Sequence, residues 1–270
     1  MTTHMNMRRL FAFGLLLSLS ALVGWGFVCM SHGTPDWWGA APKSTTYGLN
    51  DMAELAVRLG SPVSYDRRGD VVCLDQFEDG VGRWEEVGDG DDNEEYPVAY
   101  PTHSGKMALM LHSGDAVGNS GAILRELPYP TLSKLGAEVS FIVYAGTDEV
   151  RLWMLLYQGT HYYDSFLSYH HDDGTIWIRT QDADIEIATP GIVQEGYTHF
   201  NTMKFVMDAL TGKYVRAIFN DHNYPLDAYN MYYGDDVSPK RVALWVVNWT
   251  GTTGGTNVLI DDFIFTQNEP

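Results

Sequence analysis

From residue 71 onward, apolar and polar positions alternate with a period of two. Runs of this kind occur at 71–77, 107–112, 121–127, 137–144, 150–157, 162–169, 175–180, 184–188, 202–208, 213–219, 242–249 and 257–266. A strand presents successive side chains to opposite faces, so each run predicts a strand. Asp172-Asp173-Gly174, Leu210-Thr211-Gly212 and Asn220-Asp221-His222-Asn223 sit between such runs and read as turns. A dozen short strands with no helix between them predict an all-β fold, a sandwich or a barrel. No repeat of fixed period occurs, which argues against a propeller or solenoid.

The pattern differs ahead of residue 71. Residues 51–59 (DMAELAVRL) carry Met52, Leu55, Ala56 and Leu59 at i, i+3, i+4 and i+7. That stripe predicts one short amphipathic helix, with Asp51 and Glu54 as a capping box and Gly60 as its stop. Residues 31–48 have no hydrophobic period and are rich in Gly, Pro, Ser and Thr, the composition of an extended arm. Trp37 and Trp38 interrupt that arm and predict packing into a groove or onto a neighbouring copy. In residues 1–30, Arg8 and Arg9 precede an apolar run from Leu10 to Met30. This is the layout of a secretory signal peptide, and it is also long enough for a membrane anchor. A start codon placed too far upstream is the alternative. The expected organisation is therefore a leader over 1–30, an arm plus helix over 31–70, and one β-domain over 71–268. The expected location is extracellular, at the cell surface or on a virion.

Charge and composition narrow the function. The 270 residues carry a formal net charge of −18. A nucleic-acid binder needs a basic face to neutralise phosphates, and docking on anionic lipid needs one as well. Two cysteines exclude a disulfide framework and a Cys-rich zinc module. Aromatics at 13% exclude a disordered acidic chain. The densest acidic stretch, Asp89 to Glu95, lies within residues 79–105, which read as a long solvated loop, with a loop-borne cation site as the less favoured alternative.

Three segments resemble the jelly-roll domains of the concanavalin A-like lectin/glucanase and carbohydrate-binding-module type. Leu74-Asp75-Gln76-Phe77-Glu78-Asp79-Gly80 with Trp84 resembles their opening strand. Ser104-Gly105-Lys106-Met107-Ala108-Leu109 resembles the next, and Val258-Leu259-Ile260-Asp261-Asp262-Phe263-Ile264-Phe265 the closing one. Lys204–Asp208 and Gly212–Arg216 are similar to the late hairpin of related sandwiches. The resemblance implies a two-sheet antiparallel β-sandwich. It also implies a structural Ca²⁺ where first and last strands meet, held by Glu78 or Asp79, by Asp261 or Asp262, and by the Lys106 carbonyl. Such folds host enzymes, lectins and structural parts alike, so activity does not follow from them.

Two sets of residues carry candidate chemistry. Trp153, Tyr157, Tyr162, Tyr163, Tyr169 and Trp177 crowd residues 150–180, and Trp245 and Trp249 lie four apart on one late strand. Sugar rings stack their C–H faces on aromatic rings, so this set predicts glycan binding. Asp182, Asp184 and Glu186 alternate with aliphatics, which puts carboxylates about 6.5–7 Å apart on one strand face. Asp184 and Glu186 are thereby the candidates for glycoside hydrolysis, against the plainer reading of a solvated strand face. His170, His171, Asp172 and Asp173 offer metal-ligand chemistry but precede Gly174, as in a hairpin turn. The leading expectation is a non-catalytic glycan-binding protein. The alternatives are an assembly subunit that packs through Trp37, Trp38 and the 51–59 helix, and a glycoside hydrolase.

Overall fold

The computed structural model describes residues 68–270 apart from Asp91, Tyr197, Thr198 and Thr252. The leader, the arm with Trp37 and Trp38, and the expected 51–59 helix lie outside the described residues. Among the described residues there are sixteen strands and no helix.

They form two antiparallel sheets packed as a jelly-roll β-sandwich. The first runs β13 (His222–Pro225), β12 (Lys213–Phe219), β11 (Asn201–Asp208), β6 (Lys134–Val143), β16 (Asn257–Gln267), β4 (Ala108–Ser113) and β3 (Asn93–Val98). β1 (Asp70–Asp75) also pairs with β16. The second runs β10 (Asp184–Ala188), β9 (Thr175–Arg179), β8 (His161–His170), β7 (Thr147–Tyr157), β15 (Arg241–Thr250), β5 (Ser120–Pro128) and β2 (Glu85–Glu86). β14 (Tyr232–Asp235) pairs with β8.

The core follows from the alternation. Leu135, Val139 and Phe141 of β6, Phe205 of β11 and Phe265 of β16 face Leu152 and Met154 of β7, Leu244 and Val246 of β15 and Ile178 of β9. Each such buried side chain contributes about 1.5–3 kcal/mol of transfer free energy.

All twelve expected strands are present, with four short ones in addition. β13 begins at His222, so the turn after β12 is shorter than the expected Asn220–Asn223. The expected loop over 79–105 contains β2 and β3. β3 escapes the pattern because its inward position is an acid: Glu95 is opposite Leu111 in the register. Its Oε1 accepts the Ala122 N–H of β5 at 2.8 Å, which links the two sheets. Burial pushes the Glu95 carboxyl above the ordinary glutamate range, with Ala122 working the other way.

β16 contains the other departure. It pairs with β4 through Asn257–Ile260 and with β1 through Phe263–Gln267, on one edge. Its inward residues are Val258 and Ile260, then Phe263 and Phe265, so the phase slips by one residue. A bulge between Asp261 and Ile264 supplies the extra residue, and Asp262 takes φ 46°. Without it, one half of the strand would turn its apolar set outward.

Candidate functional site

The outer face of the second sheet is where the predicted aromatics gather. Registers place Trp153 beside Trp245 and Phe166, and Tyr157 beside Tyr162. Trp177 lies opposite Ser168, and Trp249 opposite Glu149. Trp153, Tyr157, Tyr162, Trp177, Trp245 and Trp249 thus share one face, each half-buried. The Trp153 and Trp245 ring centroids are 5.3 Å apart, and Tyr157 and Tyr162 stack at 5.8 Å.

Two of the eight expected ligand residues lie elsewhere. Tyr162 and Tyr163 are consecutive in a strand, so they face opposite ways, and Tyr163 packs against the core. Tyr169 shares that inward parity and is fully buried. Its ring stacks on Phe219 at 5.0 Å. Its hydroxyl donates to the Gly191 carbonyl and accepts the Val193 N–H. It is a core residue that pins the segment after β10, and a ligand cannot reach it.

Polar side chains hold the aromatic face in shape. Asp164 is buried, and Trp153 Nε1 donates to its Oδ1 at 2.6 Å. Arg179 Nη1 donates to Asp164 Oδ2 at 2.8 Å, and its Nε donates to Asp184 Oδ1 at 3.0 Å. Burial works against the charge on Arg179, but the Asp184 and Asp164 carboxylates more than offset it, so its pKa lies above the ordinary arginine value. The Arg179 guanidinium also lies 5.2 Å from the Phe166 ring centre. Arg151 lies 4.1 Å from the Phe166 ring centre and 4.4 Å from that of Trp249, with its Nε on Glu149. Arg241 lies 4.0 Å over Tyr157 and donates to Glu126. Guanidinium planes on ring faces are favourable by about 0.5–2 kcal/mol each.

A cavity of about 360 Å³ opens at one end of this face. Tyr162, Asp164, Arg179, Asp184, Tyr232 and residues 180–183 line it. Gln181 fixes its wall, since its Oε1 accepts the Tyr233 N–H of β14 at 2.7 Å. Gly234 makes room for the Tyr162 ring: a Cβ there would come within 2.4 Å of Tyr162 Cε1. The Tyr162 and Tyr232 ring centres are 6.1 Å apart, and burial raises the Tyr162 phenol.

The acidic pair proposed for hydrolysis lies on the edge strand β10. Asp184 is forked by Arg179 and lines the cavity, while Glu186 is exposed and accepts Thr189 Oγ1 at 2.8 Å. Neither carboxyl sits in the apolar surroundings that prepare a general acid. His170–Gly174 form the turn after β8, closed by the Gly174 N–H on the His170 carbonyl. His171 is buried and bonds to Glu195 rather than to a cluster of ligands.

The expected calcium set is divided. Asp261 and Asp262 are fully buried, and instead of facing opposite ways both meet the segment His103–Ser104. Asp261 Oδ2 accepts the His103 and Ser104 N–H groups at 2.8 and 3.0 Å. Asp262 accepts Ser104 Oγ at 2.5 Å and Gln76 Nε2 at 3.2 Å, and faces His103 Nδ1 at 2.6 Å. Glu78 Oε1 accepts the Lys106 and Met107 N–H groups, so Lys106 presents a donor there. Asp79 is exposed. Among the described residues no group of three or more His, Cys, Asp or Glu side chains is arranged to hold a metal ion. Protein donors occupy the Asp261 and Asp262 oxygens, and Glu78 and Asp79 are exposed, so the expected set is not gathered into a calcium site as arranged. Burial, then the neighbouring Asp262, push the Asp261 carboxyl up to about 7.

The sequence matches no protein-family model and no curated protein. Among solved structures the chain is similar to a carbohydrate esterase of the Shiga toxin-encoding bacteriophage phi24B, at 12% identity and a TM-score of 0.48, over 74% of this chain and 100% of that one. It is also similar to a Bacillus subtilis protein of galectin-like fold, at 12% identity and a TM-score of 0.47, over 74% and 97% of the two chains. The potassium-bound carbohydrate recognition domain of Emp46p is similar at 12% identity and a TM-score of 0.44, over 73% and 93%.

Proposed function

We propose that this chain is a non-catalytic glycan-binding protein that uses the outer face of its second sheet. One observation supports the reading above others: six half-buried aromatic side chains share that face, beside a cavity lined by Asp164, Arg179 and Asp184. A sheet face that serves only solubility carries polar residues. An aromatic patch rimmed by fixed polar groups is instead the layout of a recognition site. Sugar C–H faces cover the rings, and carboxylates and phenols take the hydroxyls.

The reading needs no calcium, because Asp261 and Asp262 face protein donors. It includes export, and the support for that is the sequence pattern of residues 1–30, where Arg8 and Arg9 precede an apolar run. Recovery of a shortened chain outside the cytoplasm tests that part.

A glycan array with the wild type and Trp153→Ala tests the binding. The expected result is retention of at least one glycan by the wild type and its loss in the variant. No retention of any glycan by the wild type sinks the reading.

A further inference from the structure

We propose that the cavity beside Tyr162 and Tyr232 takes an uncharged sugar unit and turns away glycans that carry carboxylate or sulfate groups. This rests on the glycan reading above and adds the class of glycan.

Charge within the cavity is the first ground. Asp164, Asp182 and Asp184 line it against a single cation, Arg179. An incoming carboxylate would meet a net charge of about −2, from three carboxylates against one guanidinium.

The state of that cation is the second. Anionic sugars are held by arginine through paired N–H groups aimed at two oxygens. On Arg179 the side-on pair is already taken: Nε and Nη2 both donate to Asp184, at 3.0 and 3.4 Å. Nη1 donates to Asp164. Turning this fork to a ligand would strip the buried Asp164 carboxylate of one of its two donors, which is costly.

The rest of the face repeats the arrangement. Arg151 is bonded to Glu149 and lies flat against Phe166 and Trp249. Arg241 is bonded to Glu126 and lies on Tyr157. These guanidinium groups serve the rings, with a carboxylate on each. Neutral hydroxyls gain from the same layout. They donate to the exposed Asp182 and to Asp184 while the sugar ring lies on Tyr162 or Tyr232. The net charge of −18 adds long-range repulsion of polyanions.

Affinity electrophoresis of the full chain tests this with two panels. The neutral panel is mannan, galactan, xylan and mixed-linkage β-glucan. The anionic panel is polygalacturonate, alginate and a sulfated galactan. The expected result is a neutral polymer as the tightest binder, with every anionic polymer weaker by about tenfold or more at low salt and a narrower gap at high salt. Asp182→Lys is expected to raise the ratio of anionic to neutral affinity by about tenfold. An anionic polymer that binds the wild type as tightly as the best neutral one overturns the inference and leaves glycan binding intact. No retardation by either panel removes the glycan reading, and this inference with it.

Discussion

Trp153 and Arg179 meet on one carboxylate: the indole Nε1 donates to Asp164 Oδ1 at 2.6 Å and the guanidinium Nη1 to Asp164 Oδ2 at 2.8 Å. Asp164 is buried, yet both its oxygens have donors, so the cost of taking it out of water is offset. In return it sets the tilt of an indole that would otherwise rotate, and it holds Arg179 over Phe166. One acid thereby positions both the Trp153 indole and the Arg179 guanidinium on this face.

Asp164→Ala should therefore act on both stability and recognition. It takes the acceptor from two half-buried donors, Trp153 Nε1 and Arg179 Nη1, at about 1–3 kcal/mol. Urea denaturation measures that loss. Glycan affinity should fall with it, whereas Asp164→Asn, which keeps one acceptor oxygen, should retain part of both. Equal stability of wild type and Asp164→Ala contradicts the assigned role.

Gly234→Ala should disturb the cavity and spare the core. The added methyl would meet Tyr162 Cε1 within 2.4 Å, and the ring, at the far end of its side chain, must swing away. The expected outcome is a loss of about tenfold in glycan affinity with a stability cost of about 1–3 kcal/mol or less. Combined with Tyr162→Ala it should add almost nothing further, since the displaced ring is then absent. Additive losses in a double-mutant cycle contradict this account.

Glu95 predicts a pH dependence of stability. Its folded pKa lies above its ordinary value, chiefly through burial. The folded chain therefore keeps a proton that the unfolded chain releases. Stability from this group is full below the unfolded glutamate pKa of about 4.3 and is lost as pH rises through the folded value. Glu95→Gln keeps an oxygen for the Ala122 N–H and removes the titration. Thermal melts from acidic to neutral pH should show a downward slope in the wild type that is reduced in the variant. Parallel profiles would exclude the effect.

The His103–Ser104 segment predicts how the closing strand responds to cations. Ser104→Ala removes a hydroxyl that donates to Asp262 and should cost about 1–3 kcal/mol. Calcium or EDTA should leave the melting temperature of the wild type unchanged. A rise with calcium that is absent in Asp261→Asn would instead show that a cation displaces the N–H donors.

Much of the architecture follows from alternation alone. Period two identifies twelve strands, and parity separates Tyr162 from Tyr163 and groups Tyr163 with Tyr169. Trp245 and Trp249 share a face by the same arithmetic. These are local consequences of the extended chain, whose side chains must alternate whatever lies around them. Parity does not say which face is inside, because a Tyr or Trp suits a core and a surface equally. Only the packing of the two sheets turns Tyr169 inward and Tyr162 out.

The rest depends on pairs distant in sequence. β3 looks like an acidic loop because its inward residue is Glu95, and only the approach of Ala122 from the other sheet makes that tolerable. The adjacent acids Asp261 and Asp262 read as one side chain per face. The bulge that realigns Phe263 and Phe265 brings both to a segment some 160 residues earlier in the chain. Asp184 reads as a candidate hydrolytic acid, and nothing in the local pattern joins it to Asp164 or Arg179. Their partnership is set by strand register, which is decided by the whole buried face and is invisible in any one strand. Alternation along the chain is enough for twelve of the sixteen strands, for their parity and for the acidic balance. The tertiary structure decided which parity meets solvent and which charges meet each other, because burial and pairing are properties of two surfaces brought together.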